Sequence, residues 1–119
     1  MKQALIALAI TAVAAAAFAQ DARMSPDAIK AAWVGKKVQA QTPKGVPLEL
    51  RLVADGTASV SGGVNDTGTW RLTDTGYCAT WQKLRGGKEG CFTVERRGTG
   101  TFVINADGSV NTEVLRVTE

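Results

Sequence analysis

Two hydrophobic periodicities divide the chain. Around residues 26–34 the apolar side chains recur at helical spacing, with Ile29, Ala32 and Trp33 on one face. Ser25 precedes the segment as an N-cap, Pro26 fits the first helical position, and Asp27 suits the positive end of the helix dipole. Gly35 follows as a C-cap. The pattern predicts one short helix, about 26–34, with Trp33 plugging one end or side of the body.

After Gly35 the period falls from 3.6 to 2. Residues 36–41 alternate, and 42–45 (Thr-Pro-Lys-Gly) make a turn. In 47–53, Leu48, Leu50 and Leu52 share one face while Glu49 and Arg51 take the other. Further strands are expected at 57–61, 69–72, 77–81, 91–94, 101–105 and 109–117. Trp70 and Leu72 should point inward, and the 101–105 strand carries Phe102 and Ile104. Asp55-Gly56 and Asp107-Gly108 are turn pairs. Residues 61–67 read as a mobile loop, and 21–24 as a frayed polar lead-in.

Eight strands joined by tight turns, with no segment long enough for a crossover helix, should pair as an antiparallel meander. Such a meander exposes two edges unless it closes. The expected fold is therefore all-β with one short helix, a closed or half-open up-and-down barrel of lipocalin-like architecture. A β-sandwich is the alternative.

The stretch ahead of the helix adds a compartment. Lys2 is followed by an unbroken small-to-apolar run to Ala19, ending Ala17-Phe18-Ala19. Residues 1–19 thus read as a secretory signal peptide, leaving 20–119 as a single β-rich domain, exported to the periplasm without a membrane anchor. The formal net charge of the sequence is +3, part of it from Lys2. That excess is too small to argue for a nucleic-acid partner. A monomer is expected.

Export bears on the two cysteines, Cys78 and Cys91. Each lies in a strand-like run, and the runs flank a polar loop containing glycine. We read them as a β-hairpin stapled by a disulfide. Facing cysteines would also pair Tyr77 with Phe92 and Thr80 with Glu89, and put the tip near Leu84 and Arg85. A loop of this length would stabilise the fold by about 3 kcal/mol. The tip carries Lys83, Arg85 and Lys88, with Trp81 entering it. These four residues are the candidate contact for a partner in the cell envelope. A second candidate is a cavity between the strands, lined by Leu50, Leu52, Trp70 and Phe102, for a small apolar ligand.

The sequence has no histidine. That removes His-based triads, His-ligated metals and most acid–base schemes near neutral pH. Asp55, Asp74 and Asp107 are explained by turns, no acidic loop has calcium spacing, and no cofactor or metal is expected. The reading is a non-enzymatic protein.

One resemblance extends over nearly the whole of 20–119. Its residues are Trp33-Val34-Gly35, Asp55-Gly56-Thr57, Gly68-Thr69-Trp70, Tyr77-Cys78-Ala79-Thr80-Trp81, Cys91-Phe92-Thr93-Val94 and Asp107-Gly108. Together they resemble a family of small exported proteobacterial proteins grouped as a domain of unknown function. The resemblance implies a periplasmic β-rich domain and brings no activity with it. The expected architecture is also similar to small stapled barrels that inhibit hydrolases. The expected functions are thus an interaction module with an envelope partner, a lipocalin-like carrier of a small apolar ligand, or an inhibitor of an exogenous hydrolase.

Overall fold

The computed structural model describes residues 22–119, and the signal-peptide reading of residues 1–19 lies outside the described residues. The chain forms β1 (Ala22–Arg23), α1 (Pro26–Trp33), β2 (Lys37–Gln41), β3 (Pro47–Leu52), β4 (Thr57–Gly62) and β5 (Asp66–Leu72). There follow β6 (Tyr77–Trp81), a short 3-10 segment (Leu84–Gly87), β7 (Gly90–Arg97), β8 (Gly100–Asn105) and β9 (Val110–Thr118). Strands β2 to β9 pair antiparallel in sequence order, and β9 returns to pair with β2. The eight strands therefore close into a barrel. Closure satisfies both strand edges that a sandwich would leave to be covered in other ways.

The N-terminal segment is not frayed, as the polar lead-in suggested. Ala22 and Arg23 pair with Arg96 and Glu95, and the Met24 N–H donates to the Val94 carbonyl at 2.7 Å. The reason lies in β7. Its ladder with β6 runs only through Tyr77–Phe92, Cys78–Cys91 and Ala79–Gly90. Beyond Phe92 that edge of β7 would be bare, and β1 occupies it.

The helix starts as its sequence requires. Ser25 Oγ accepts the Ala28 N–H at 3.1 Å, and Pro26 fills the first helical position. It ends at Trp33, one residue before the predicted boundary, because Val34 forms an isolated bridge with Leu52 and the Gly35 N–H donates to the Leu52 carbonyl. Its inner face buries Ile29 and Trp33 almost completely. Burying Ile29 alone contributes about 2 kcal/mol. Trp33 meets the ring of Tyr77 edge-on at 6.1 Å. The helix thus seals one end of the barrel, the end at which β3 and β5 finish and β6 begins.

Alternation sets the interior. Val38 and Ala40 of β2, Leu48 and Leu50 of β3, Val60 of β4, Tyr77, Ala79 and Trp81 of β6, and Val103 of β8 all turn inward. Strand β9 departs from strict alternation at two places. Its register shifts against β8 between Val110 and Thr112, and against β2 between Val114 and Arg116. The second shift leaves Leu115 unpaired and 55% exposed, while Thr112, Val114 and Val117 stay on the inner side. These are β-bulges, which bend a strand enough to help a small barrel close.

Candidate functional site

The end opposite the helix is open. There β2, β4, β6 and β8 finish and β3, β5, β7 and β9 begin. From it a cavity of about 280 Å³ runs into the barrel. Its wall is mostly aliphatic, with Val38, Ala40, Leu48, Leu50, Val60 and Val114 on the β2–β3–β4–β9 side. Ala79, Trp81, Phe92 and Val103 line the other side, and Tyr77 lies toward the sealed end, against Trp33. Polar groups gather near the mouth, where Thr42, Arg85, Asn111 and Thr112 contribute to the lining. No carboxylate lines the cavity among the described residues.

Two hydroxyls in this lining lack a protein partner. Thr112 is 7% exposed and Tyr77 4%. Neither side-chain hydroxyl has a hydrogen bond to any of the described residues. Burying a hydroxyl unpaired is unfavourable by about 1–3 kcal/mol. Burial also pushes the Tyr77 phenol above its ordinary pKa range, so it remains a neutral donor.

The connection from β6 to β7 shapes the mouth. It does not extend the hairpin ladder to Thr80 and Glu89 as predicted. The β6–β7 ladder stops at Ala79–Gly90, while on the other edge of β6 Thr80 still pairs with Thr69 of β5 and the Gln82 N–H donates to the Thr67 carbonyl. The chain then folds back through Leu84–Gly87, where Arg85, Gly86 and Gly87 all have left-handed backbone (φ 58°, 64° and 80°). For the glycines this is free of strain. For Arg85, the one non-glycine residue with positive φ among the described residues, it costs about 1 kcal/mol. The Leu84 side chain lines the cavity, and Arg85 lies across Gly90 at the rim. A Cβ on Gly90 would come within 2.8 Å of Arg85 Nε, so glycine is what lets the arginine rest there.

Asp66 holds this segment down. Its Oδ2 accepts the N–H groups of Lys83 and Leu84, each at 2.9 Å, and its Oδ1 accepts the Thr67 N–H. The Leu84 hydrogen bond foremost, aided by those of Lys83 and Thr67, keeps the carboxyl below the usual carboxylate range against the opposing effect of burial. The residue is 8% exposed and opens β5. The expected mobile loop 61–67 is thus mostly strand and anchor, leaving only 63–65 between β4 and β5.

Cys78 and Cys91 form the disulfide, on the outer face of the β6–β7 ladder. Cys78 is covered and Cys91 exposed. Arg71, the cross-strand neighbour of Cys78, makes two hydrogen bonds at 3.0 Å to the Glu89 carboxylate. Glu89 in turn lies within 4.8 Å of both sulfurs. With the sulfurs bonded to each other, this trio of Cys78, Cys91 and Glu89 offers a metal no thiolate.

The predicted residues redistribute on this frame. Of the four expected around a cavity, Leu50 lines it. Leu52 is fully buried at the helix end, where its backbone meets Val34 and Gly35. Trp70 is half-buried, with its Nε1–H donating to the Val53 carbonyl at 2.7 Å, which carries the indole away from the cavity. Phe102 faces outward between Glu95 and Glu113, over Gly100, because its neighbour Val103 takes the inward position. Of the four expected at an exposed hairpin tip, Lys83, Arg85 and Lys88 are exposed, with Arg85 at the rim, and Trp81 does not join them. Trp81 is 9% exposed and part of the cavity wall, since it continues the inward series Tyr77, Ala79.

Sequence reasoning passed over Asp66, Tyr77, Asn111 and Thr112. Thr112 carried a usable signal, a polar residue two before Val114 on an inward-facing position. Asp66 carried none, because its partners lie 17 and 18 residues away. No helix among the described residues is long and apolar enough to cross a membrane. No family model, curated protein or solved structure matches the chain.

Proposed function

We propose that this is a non-catalytic, exported binding protein that carries a small, largely apolar ligand inside its barrel. The observation that supports this most directly is the cavity itself. It is one-ended, mostly aliphatic and about 280 Å³ in volume. About 150 Å³ suffices for a benzene ring, so the space suits a ligand of roughly ten to twelve non-hydrogen atoms. A protein with no other use for this volume would be more stable with larger side chains there, since interiors normally pack densely. The two unpartnered hydroxyls support the same reading, because a ligand with a polar atom would satisfy them. The absence of histidine from the sequence and the carboxylate-free lining favour binding over chemistry.

Titration with 1-octanol, followed by the indole N–H resonance of Trp81, tests the reading. Saturable binding is expected, because Trp81 lies in the wall. Ala79→Leu fills the space from the same strand, two residues from Trp81, and should abolish binding without loss of the folded spectrum. If 1-octanol and naphthalene both leave the Trp81 resonance unmoved up to their solubility limits, the barrel is not a carrier of this kind.

A further inference from the structure

We infer that the ligand is an anionic amphiphile, a carboxylate on a chain or ring of about eight to ten carbons, held head-outward with Arg85 as its clamp. This rests on the cavity reading above and adds the chemistry of the head group. Arg85 contributes to the cavity lining, yet its guanidinium has no hydrogen bond or ion pair with any described residue. The arginines at 51, 71 and 97 each pair with a glutamate, and Arg116 with Gln39. Arg23 and Arg96 are also without a side-chain partner among the described residues, but of these three only Arg85 lines the cavity.

The carboxylates nearest the rim are committed elsewhere. Glu89 and Asp107 share a surface groove with Arg85. Glu89 is taken by the two hydrogen bonds from Arg71, and Asp107 by the N–H and hydroxyl of Ser109. Asp66 is spent on backbone N–H groups. Arg85 therefore faces the mouth as an uncompensated cation.

Its placement is built. The side chain rests on Gly90, the backbone is held in a left-handed conformation, and Asp66 secures the two residues before it. Strained backbone fixed by its surroundings is a recurrent feature of ligand clamps. A guanidinium fork matches a carboxylate bidentately, which an ammonium does not. Thr112, buried with its hydroxyl unpartnered, adds a second polar contact inside the mouth. Lys83 and Lys88 flank the segment, are exposed, and make no ion pair among the described residues. They add a positive field that draws an anion toward this end.

Calorimetric titration of the full chain, disulfide intact, with octanoate, 1-octanol and octylammonium tests the inference. The three share one tail and differ in head charge. Octanoate should bind about tenfold or more tighter than 1-octanol, the margin expected of a charge-assisted pair. Octylammonium should bind weakest. Arg85→Gln should bring octanoate down to the level of 1-octanol, closing the gap between the two. Gly90→Ala, which displaces the Arg85 side chain while keeping its charge, should lower octanoate affinity as well. Equal binding of octanoate and 1-octanol by the wild-type protein would overturn the anionic head group and leave the carrier reading standing. Binding of none of the three would overturn both. The wild-type comparison needs no variant, so a poorly folding substitution cannot obscure the outcome.

Discussion

The carboxylate of Asp66 and the backbone N–H of Leu84 meet at 2.9 Å across 18 residues of chain. This contact ties the start of β5 to the segment that crosses the open end of the barrel. Asp66 is not itself part of the cavity lining, yet it decides where Leu84 and Arg85 stand. It is a positioning residue for the mouth.

Asp66→Asn keeps the side-chain shape and removes the charge. The amide protons of Lys83 and Leu84 should then exchange about tenfold faster, the loss expected when a carboxylate acceptor becomes neutral. Exchange in β3 and β8 should be unchanged. The wild type should show the same loosening in acid. The Asp66 carboxyl is held below its usual range in the folded chain, so its hold on the segment is complete above about pH 4 and is lost as the pH falls through the folded value. Hydrogen exchange read by NMR across that range checks both. Unchanged protection at Lys83 and Leu84 in the variant would remove Asp66 from this role.

The disulfide strengthens the thinnest seam of the barrel. The β6–β7 ladder has three residue pairs, and Cys78–Cys91 is the middle one. The cysteines are 13 apart in sequence. Replacing both by alanine should lower stability by about 3 kcal/mol, chiefly by freeing the unfolded chain. Urea denaturation measures this. Hydrogen exchange should rise first at Tyr77, Ala79 and Phe92. A loss below about 1 kcal/mol, set against that same chain-entropy expectation, would mean the seam holds through β1 and the inner side chains alone.

Tyr77 is the one tyrosine in the sequence, which makes it a spectroscopic reporter. Its phenol is buried and its pKa raised. The folded chain therefore keeps a proton that the unfolded chain releases near pH 10. Stability should be full below about pH 10 and fall as the pH rises beyond it. Tyrosinate absorbance should appear together with unfolding, not before it. Tyr77→Phe should flatten this alkaline decline. It should also raise stability near neutral pH by about 1 kcal/mol, since it deletes a hydroxyl that has no partner. Tyrosinate absorbance at pH 10 with the native fold intact would show the phenol to be accessible.

Much of this architecture is readable along the chain. Ser25-Pro26 sets the start of the helix, the spacing of Ile29 and Trp33 sets its buried face, and alternation marks the strands. The pairing of Cys78 with Cys91 follows from two strand runs around one loop. What alternation leaves undecided is which of two apolar neighbours faces in. Phe102, Val103 and Ile104 are consecutive, and Val103 is the one that lines the interior. The choice is made by the partners on β7 and β9 and by the bulge beside Thr112. Leu115 and Val117 show the same thing, since the second bulge in β9 sends Leu115 outward.

The sequence by itself determined a helix, eight short antiparallel strands and a covalent link between two of them, because cap residues, period and turn chemistry act within a few neighbouring positions. Only the tertiary structure decided that the barrel is sealed at one end and hollow toward the other, that Trp81 belongs to its wall, and that Arg85 is fixed at its rim. Those outcomes depend on contacts such as Asp66 with Leu84 and Arg85 against Gly90. Such contacts join positions that local pattern does not relate, and they form only once the closing of the sheet brings the strand ends to one mouth.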